Sequence, residues 1–178
     1  MDFHEIEVIN QNRDEPSPVI HPIVVVLDRL RSAYNVGNIF RLADTCGVER
    51  VITCGYTATP PHKKITKTAL GSEEYVAVTH YNTSGEAARS LKKDGYYLVG
   101  IETVEGSPHL WDVELQFPVA FVLGNEALGV EKETLAECDA IARLPVYGIK
   151  NSLNVANCAA VVLYNAIRRY HESENGAR

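Results

Sequence analysis

The sequence lacks the features that mark several common protein classes. Its four cysteines form no CxxC pair and have no histidine cluster beside them, which argues against a zinc site and against a disulfide framework. Residues 1–12 are polar and acidic, so they do not form a secretory leader. No apolar run is long enough to span a bilayer. We therefore expect a cytoplasmic protein with no bound metal and no membrane segment.

The common nucleotide-binding motifs are also missing. No glycine is followed two positions later by another, so the GxGxxG motif of NAD enzymes and of many open-sheet methyltransferases is absent. Gly124 and Gly129 have the spacing of a P-loop, but Val130 and Glu131 follow where a lysine and a hydroxyl residue would be needed. No GxSxG segment indicates a serine hydrolase. A ligand at the strand ends must therefore be bound in another way.

The composition is that of a globular protein with an acidic balance. Apolar residues make up 46% of the 178 residues, which is enough to bury a core in one domain covering 1–178. The formal charge of −6 argues mildly against a nucleic-acid substrate. Local basic patches can still bind RNA on an acidic protein. A small-molecule substrate is therefore kept as an alternative.

Short apolar runs alternate with segments of helical periodicity along the chain. This alternation predicts an α/β fold in which a mostly parallel sheet is flanked by helices. Strands are predicted at 23–27, 50–54, 74–81, 96–101, 118–123 and 140–144, and helices at 35–45, 65–70, 83–94, 131–137 and 152–170. Residues 1–20 are predicted to form an irregular arm, and the tail from 172 is predicted to fray.

Three segments carry a resemblance to a known family, and each follows a predicted strand. Residues 31–41 contain an N-x-G-x-x-x-R pattern, 121–130 contain G-x-E-x-x-G, and 144–156 contain P-x-x-G-x-x-x-S-L-N-V. Together and in this order they resemble the SpoU (TrmH-like) family of tRNA and rRNA 2′-O-ribose methyltransferases, in the SPOUT superfamily. One departure is Ala156, where many relatives carry serine. The resemblance implies a trefoil knot near the C-terminus and a homodimer whose substrate site uses residues of both chains.

The resemblance also implies a cofactor, S-adenosyl-L-methionine, and a set of site residues. The implied cofactor-binding residues are Thr103, Leu123, Gly124, Gly129, Leu144, Pro145, Gly148, Ser152 and Leu153. The glycines would let the backbone approach the ligand, and the leucines would form apolar walls. Without the resemblance, a tight turn and a simple core explain the same residues.

The implied catalytic residues are Arg41, Asn35, Glu126, Ser152 and Asn154. A ribose hydroxyl is barely acidic, so stabilising negative charge on its oxygen should supply much of the rate. We expect Arg41 to do this rather than to act as a base, because a guanidinium stays protonated at neutral pH. Asn35 would orient Arg41 or the ribose, and Glu126 would hold the arginine in a bidentate pair. Ser152 and Asn154 would position the ribose and cofactor, or simply serve as the helix N-cap and first turn.

RNA contacts are expected from basic residues near the same sheet edge, namely Arg29, Arg31, Lys63, Lys64 and Lys67. Ribosomal members of the family often carry an extra N-terminal domain, and only residues 1–20 precede the first predicted strand here. tRNA is therefore the preferred substrate, with rRNA as the alternative. A non-catalytic module that binds RNA or the cofactor on the same fold is a second alternative.

Overall fold

The computed structural model describes residues 19–176 and places six parallel strands in one sheet. The strands are β1 (His21–Asp28), β2 (Val48–Cys54), β3 (Ala77–Tyr81), β4 (Tyr97–Ile101), β5 (Val119–Leu123) and β6 (Ala140–Ala142). The helices are α1 (Ala33–Thr45), α2 (Lys63–Ala69), α3 (Ser84–Lys93), α4 (Lys132–Glu137) and α5 (Val155–Gly176). The strand order is β3-β2-β1-β5-β4-β6. The predicted α/β class with a mostly parallel sheet is confirmed.

The core lies on both faces of the central strands β1 and β5. Successive side chains of a strand point to opposite faces, so Ile23 and Val25 pack with α1 and α5, while Val24 and Val26 pack with α3. Every residue of β5 is buried. Strands that are covered on both faces have nearly continuous apolar sequences. For this reason β1 and β5 could be predicted as buried strands from the sequence.

The helix predicted at 83–94 begins with a capping box in the structure. The Thr83 hydroxyl accepts from the backbone N–H of Glu86 over 3.1 Å, and the Glu86 carboxylate accepts from the N–H of Thr83 over 3.3 Å. Both side chains thus satisfy amides that have no partner within the helix. The predicted position of this helix start is confirmed.

Two strands are shorter than predicted by two or more residues. β3 begins at Ala77, three residues late, because residues 72–74 form a turn of 3₁₀ helix. β6 ends at Ala142, two residues early, because the backbone of Arg143 pairs with the segment 108–110 instead. Both differences arise from contacts between distant segments that local periodicity does not encode.

The C-terminal end of α5 also differs from the prediction. The helix continues to Gly176, six residues beyond the predicted end at residue 170, and the expected fraying from residue 172 stays a prediction. Residues 177–178 lie outside the described part, as do residues 1–18 of the predicted N-terminal arm. Within residues 19–176, no helix is long and apolar enough to cross a membrane.

Candidate active site

A cleft of about 730 Å³ lies at the carboxyl ends of β4, β5 and β6, beside the start of α5. Ligands of open parallel sheets bind at this edge, and the volume suits a ligand of nucleoside size. The predicted cofactor residues that line the cleft are Thr103, Leu123, Gly124, Gly129, Leu144, Ser152 and Leu153. Pro145 and Gly148 lie in the loop between β6 and α5, which contributes Leu144, Ser152 and Leu153 to the cleft, but they do not line the cleft themselves.

The turn after β5 is held by the side chain of Asn125, which the sequence analysis missed. Its carbonyl oxygen accepts from the N–H groups of Ala127 and Leu128, at 2.8 and 3.0 Å. Its amide nitrogen donates to the backbone oxygen of Arg29 over 2.6 Å. Asn125 therefore shapes the turn and ties it to the segment before α1. Asn125 lies between Gly124 and Glu126, both of which belong to the G-x-E-x-x-G pattern, and this position could have indicated its role.

The two glycines of this turn are required by contacts within the chain. A Cβ at Gly124 would overlap the backbone of Gly129 and Val130. Gly129 has a positive φ of 70°, and a Cβ there would overlap the carboxylate of Glu102. Both glycines are thus required by a turn that closes on itself, and the prediction that they also make room for a ligand stays a prediction.

Glu126 joins two of the resembling segments. Its carboxylate accepts from the backbone N–H groups of Arg31 and Ser32, at 2.9 and 3.2 Å, and from the side-chain amide of Asn35 over 2.9 Å. The carboxylate thus sits at the N-terminus of α1, where a negative charge is favoured. The predicted pairing of Glu126 with Arg41 is not formed within residues 19–176 of one chain, where Glu126 has no ion pair.

The hydrogen bonds on Glu126 also change its acidity. Burial alone would raise the pKa of the Glu126 carboxyl, because it disfavours the charged form. The hydrogen bonds from the backbone of Arg31, from its own N–H, from Asn35 and from Ser32 outweigh this effect and lower the pKa below the ordinary value. Glu126 is therefore a fixed anion that organises the site, and it is poorly suited to act as a base.

Asn154 brings the third resembling segment to the same place. Its amide nitrogen donates to the side-chain oxygen of Asn35 over 3.2 Å. Its own oxygen accepts from the N–H groups of Ala156 and Asn157, so Asn154 caps α5. The alternative in which Ser152 caps this helix is wrong, since α5 begins at Val155. Ser152 instead lines the cleft.

Arg41 lies apart from this cluster within the chain. It lies six positions after Asn35 on α1, which corresponds to a rotation of about 240° and a rise of about 9 Å. Its side chain is exposed and forms no ion pair or hydrogen bond with any residue in 19–176. The prediction that Asn35 orients Arg41 is wrong within one chain, because Asn35 binds Glu126 and Asn154.

The predicted RNA-binding residues fall into two groups. Arg31 and the lysines at 63, 64 and 67 are exposed. Arg29 instead contacts the carboxylates of Asp28 and Glu131, at 2.9 and 2.8 Å. These two carboxylates neutralise its charge, so the structure gives Arg29 a structural role in place of the predicted RNA contact.

Two further ionisable residues of the cleft were not predicted. Glu102 accepts from the N–H groups of Thr103 and Val130, both at 2.9 Å, and so fixes the end of β4 to the turn after β5. Cys158 also lines the cleft, where burial and the nearby charge of Glu102 raise the pKa of its thiol to about 11. Cys158 therefore stays protonated at neutral pH and is not a nucleophile.

Comparison with known proteins identifies the family. The profile of the SpoU rRNA Methylase family matches residues 22–164, which is most of the chain. The chain belongs to the SpoU family. The match extends beyond the three segments and covers all six strands from residue 22 onward and the first part of α5.

Individual SpoU relatives support this assignment. A 23S rRNA (guanosine-2′-O-)-methyltransferase, RlmB of Vibrio parahaemolyticus, is 29% identical over 148 residues, covering 83% of this chain and 60% of that protein. The AviRb methyltransferase of Streptomyces viridochromogenes, solved in complex with AdoMet, is 29% identical with a TM-score of 0.75, covering 86% of this chain and 60% of that one. The TrmH/SpoU tRNA modifying enzyme of A. aeolicus is 25% identical with a TM-score of 0.78, covering 89% and 80%. The chain spans about three fifths of the length of the curated relatives it matches.

Proposed function

We propose that the chain is an S-adenosylmethionine-dependent RNA 2′-O-ribose methyltransferase acting in the cytoplasm, with tRNA as the preferred substrate and rRNA as the alternative. The observation that carries the proposal is the meeting of Asn35, Glu126 and Asn154 at the edge of the cleft. Each comes from a different segment of SpoU resemblance. A related SpoU methyltransferase was solved with AdoMet, and another relative methylates the 2′-oxygen of a guanosine.

The cleft fits the proposed cofactor. Its walls combine the apolar side chains of Leu123 and Leu144 with polar groups of the turn after β5, as adenosine requires. It is also lined by the cation Arg143, which forms no ion pair within residues 19–176 and can meet an anionic group of a ligand. When bound, S-adenosylmethionine supplies a methyl group made reactive by its sulfonium.

The residues of the chain are proposed to position the ribose and stabilise charge. Asn154 and Ser152 place the ribose at the cleft, and Asn35 is held in one orientation by its bonds to Glu126 and Asn154. Arg41 stabilises the negative charge that develops on the 2′-oxygen. It does not take the proton, because a guanidinium stays protonated at neutral pH; the proton passes to a phosphate or to water. RNA phosphates are held by Arg31, and by Lys63, Lys64 and Lys67 on α2.

We further propose that the protein is a homodimer and that Arg41 acts at the partner's cleft. Arg41 shares an exposed face of α1 with Tyr34, which is 45% exposed. The neighbouring helix α5 exposes Val161 and Tyr164, at 38% and 55%. Exposed apolar side chains beside a catalytic arginine with no partner in residues 19–176 favour burial against a second copy.

A trefoil knot is also proposed. β6 lies at one edge of the sheet, and the chain then returns along α5, which contacts α1, β1 and β5 in the middle. The segment between them runs beside residues 108–110 through the backbone bonds of Arg143. This return path supports threading of α5 through the preceding loop, a topology that is very rare outside such families.

The reaction is tested by methyl transfer from labelled S-adenosylmethionine to tRNA and, separately, to rRNA. A 2′-O-methyl group blocks alkaline cleavage of the next phosphodiester, so the label should be recovered in alkali-resistant dinucleotides. Arg41→Ala should lower transfer at least about a hundredfold, whereas Arg89→Ala, on the opposite face of the sheet, should leave it unchanged. Bound cofactor with no label in either RNA would favour the non-catalytic module or a small-molecule substrate.

The shared site is tested by mixing two inactive variants, Arg41→Ala and Asn154→Ala. If Arg41 acts across the dimer, each mixed dimer contains one intact site. Random exchange of equal amounts makes half of the dimers mixed, so activity should return to about a quarter of the wild-type value. A site built within one chain would show no recovery, because every mixed dimer would then have one defect in each site.

A further inference from the structure

Arg143 is an unneutralised cation in the cleft. It is the one lysine or arginine among the cleft-lining residues in the described part of the chain, where Glu102 and Glu126 are the carboxylates. Both carboxylates accept from backbone amides of other segments. Within residues 19–176, no carboxylate forms an ion pair with Arg143, and its buried Nε has no hydrogen-bond partner. The folded chain thus leaves a partly exposed guanidinium without an ion pair beside the ligand site.

Both backbone polar groups of Arg143 form hydrogen bonds within the chain. Its N–H donates to the oxygen of Pro108 over 3.0 Å, and its oxygen accepts from the N–H of Leu110 over 2.9 Å. These bonds fix the residue where β6 ends. The guanidinium is therefore the group of Arg143 that can meet a ligand. A hydrogen bond between a guanidinium and an anion is charge-assisted, so an anionic ligand group placed in the cleft beside Arg143 would be favoured.

We propose that Arg143 binds the carboxylate of the methionine moiety of S-adenosylmethionine, an assignment that rests on the proposed function. This carboxylate is the one anionic group of the cofactor, whose adenine and ribose are neutral. A guanidinium can donate two parallel N–H bonds to a carboxylate, which a lysine cannot do. In the proposed function the exposed Arg31 and the lysines of α2 meet the RNA phosphates, whereas Arg143 lies in the cleft and is only partly exposed.

The assignment is tested by calorimetric titration with two ligands that differ by one group. Decarboxylated S-adenosylmethionine keeps the adenosine, the sulfonium and the ammonium and lacks the carboxylate. The wild-type chain should bind S-adenosylmethionine the more tightly of the two. In Arg143→Gln, affinity for S-adenosylmethionine should fall about tenfold to a hundredfold, while affinity for the decarboxylated ligand should change less than about twofold. Arg143→Lys should keep part of the preference, and Arg89→Gln, an arginine remote from the cleft, should keep all of it.

Each other outcome overturns the assignment. Equal losses for both ligands in Arg143→Gln would make Arg143 a residue that shapes the cleft. If Arg143→Gln still preferred S-adenosylmethionine to the decarboxylated ligand as strongly as the wild type, Arg143 would not bind the carboxylate. Weaker RNA binding by the same variant would then assign Arg143 to an RNA phosphate. In both cases the wild-type chain binds the cofactor and the proposed function stands. No binding of S-adenosylmethionine by the wild-type chain would overturn both.

Discussion

Asn35 donates a hydrogen bond of 2.9 Å to the carboxylate of Glu126, although 91 positions separate the two residues. The other end of the Asn35 amide accepts from Asn154, a further segment away. One side chain therefore joins all three segments of SpoU resemblance. An asparagine suits this place because its amide presents a donor on one side and an acceptor on the other.

The first prediction concerns the stability that Glu126 contributes. Glu126→Gln keeps the shape but leaves one oxygen to accept from three donors, and its new NH₂ group faces N–H groups. We expect the free energy of unfolding, measured by urea denaturation, to fall by about 1–2 kcal/mol. Glu105→Gln is a matched control, because Glu105 is exposed and contacts no described partner through its carboxylate. If Glu105→Gln lowered the free energy of unfolding as much as Glu126→Gln, the hydrogen bonds of Glu126 would not be the cause of the loss.

The second prediction is the pH dependence of that contribution. The folded chain lowers the pKa of Glu126, so its carboxylate stabilises the fold fully above the unfolded pKa of about 4.3. This stabilisation is lost as the pH falls through the lower, folded pKa. The difference in unfolding free energy between wild type and Glu126→Gln should therefore shrink between about pH 5 and pH 3. A difference that stays constant over this range would mean that Glu126 does not titrate differently in the two states.

The fold class could be predicted because buried parallel strands and capped helices leave local patterns. β1 and β5 are apolar at nearly every position, and Thr83 and Glu86 form a capping box three residues apart. Such patterns depend on neighbours in sequence. Element ends were less predictable, since the end of β6 depends on the pairing of Arg143 with residues 108–110.

The sequence predicted which residues lie near the candidate site better than it predicted which of their groups contact each other. Glu126 and Arg41 both belong to the family pattern, but which group binds which depends on how separate segments meet in space. Helical geometry alone already opposed a shared role for Asn35 and Arg41, because six residues place them on different sides of α1. Glu102 was missed because a carboxylate that follows a strand is typical of a solvent-exposed strand end. Only its hydrogen bonds with the amides of Thr103 and Val130 show its role.

The third prediction concerns the buried carboxylate at the end of β1. Asp28 is fully buried, and it accepts from the guanidinium of Arg29 and from the N–H of Glu131 over 2.8 Å. Arg29 itself has a positive φ of 53°, so its unusual backbone conformation depends on such contacts. Asp28→Ala removes one of the two carboxylates that pair with Arg29 and leaves the N–H of Glu131 without its acceptor, so it should lower the free energy of unfolding by about 2–3 kcal/mol.

A surface pair provides the control for that measurement. Glu172 accepts from Arg168 on α5, and both side chains are more than half exposed. Glu172→Ala should therefore cost less than about 1 kcal/mol in the same denaturation experiment. Similar losses for Asp28→Ala and Glu172→Ala would contradict a structural role for the buried carboxylate.

The fourth prediction contrasts two glycines of the family pattern. A methyl group at Gly124 would overlap the backbone of Gly129 and Val130, whereas one at Gly148 would meet no atom within 4 Å. Gly124→Ala must open the turn, so we expect a loss of about 1–3 kcal/mol in unfolding free energy and weaker cofactor binding in calorimetry. Gly148→Ala should keep the wild-type stability or gain up to about 1 kcal/mol, because alanine restricts the unfolded chain without strain in the folded one. Equal effects of the two changes would show that the turn after β5 is not closed by the contact between Gly124 and Gly129.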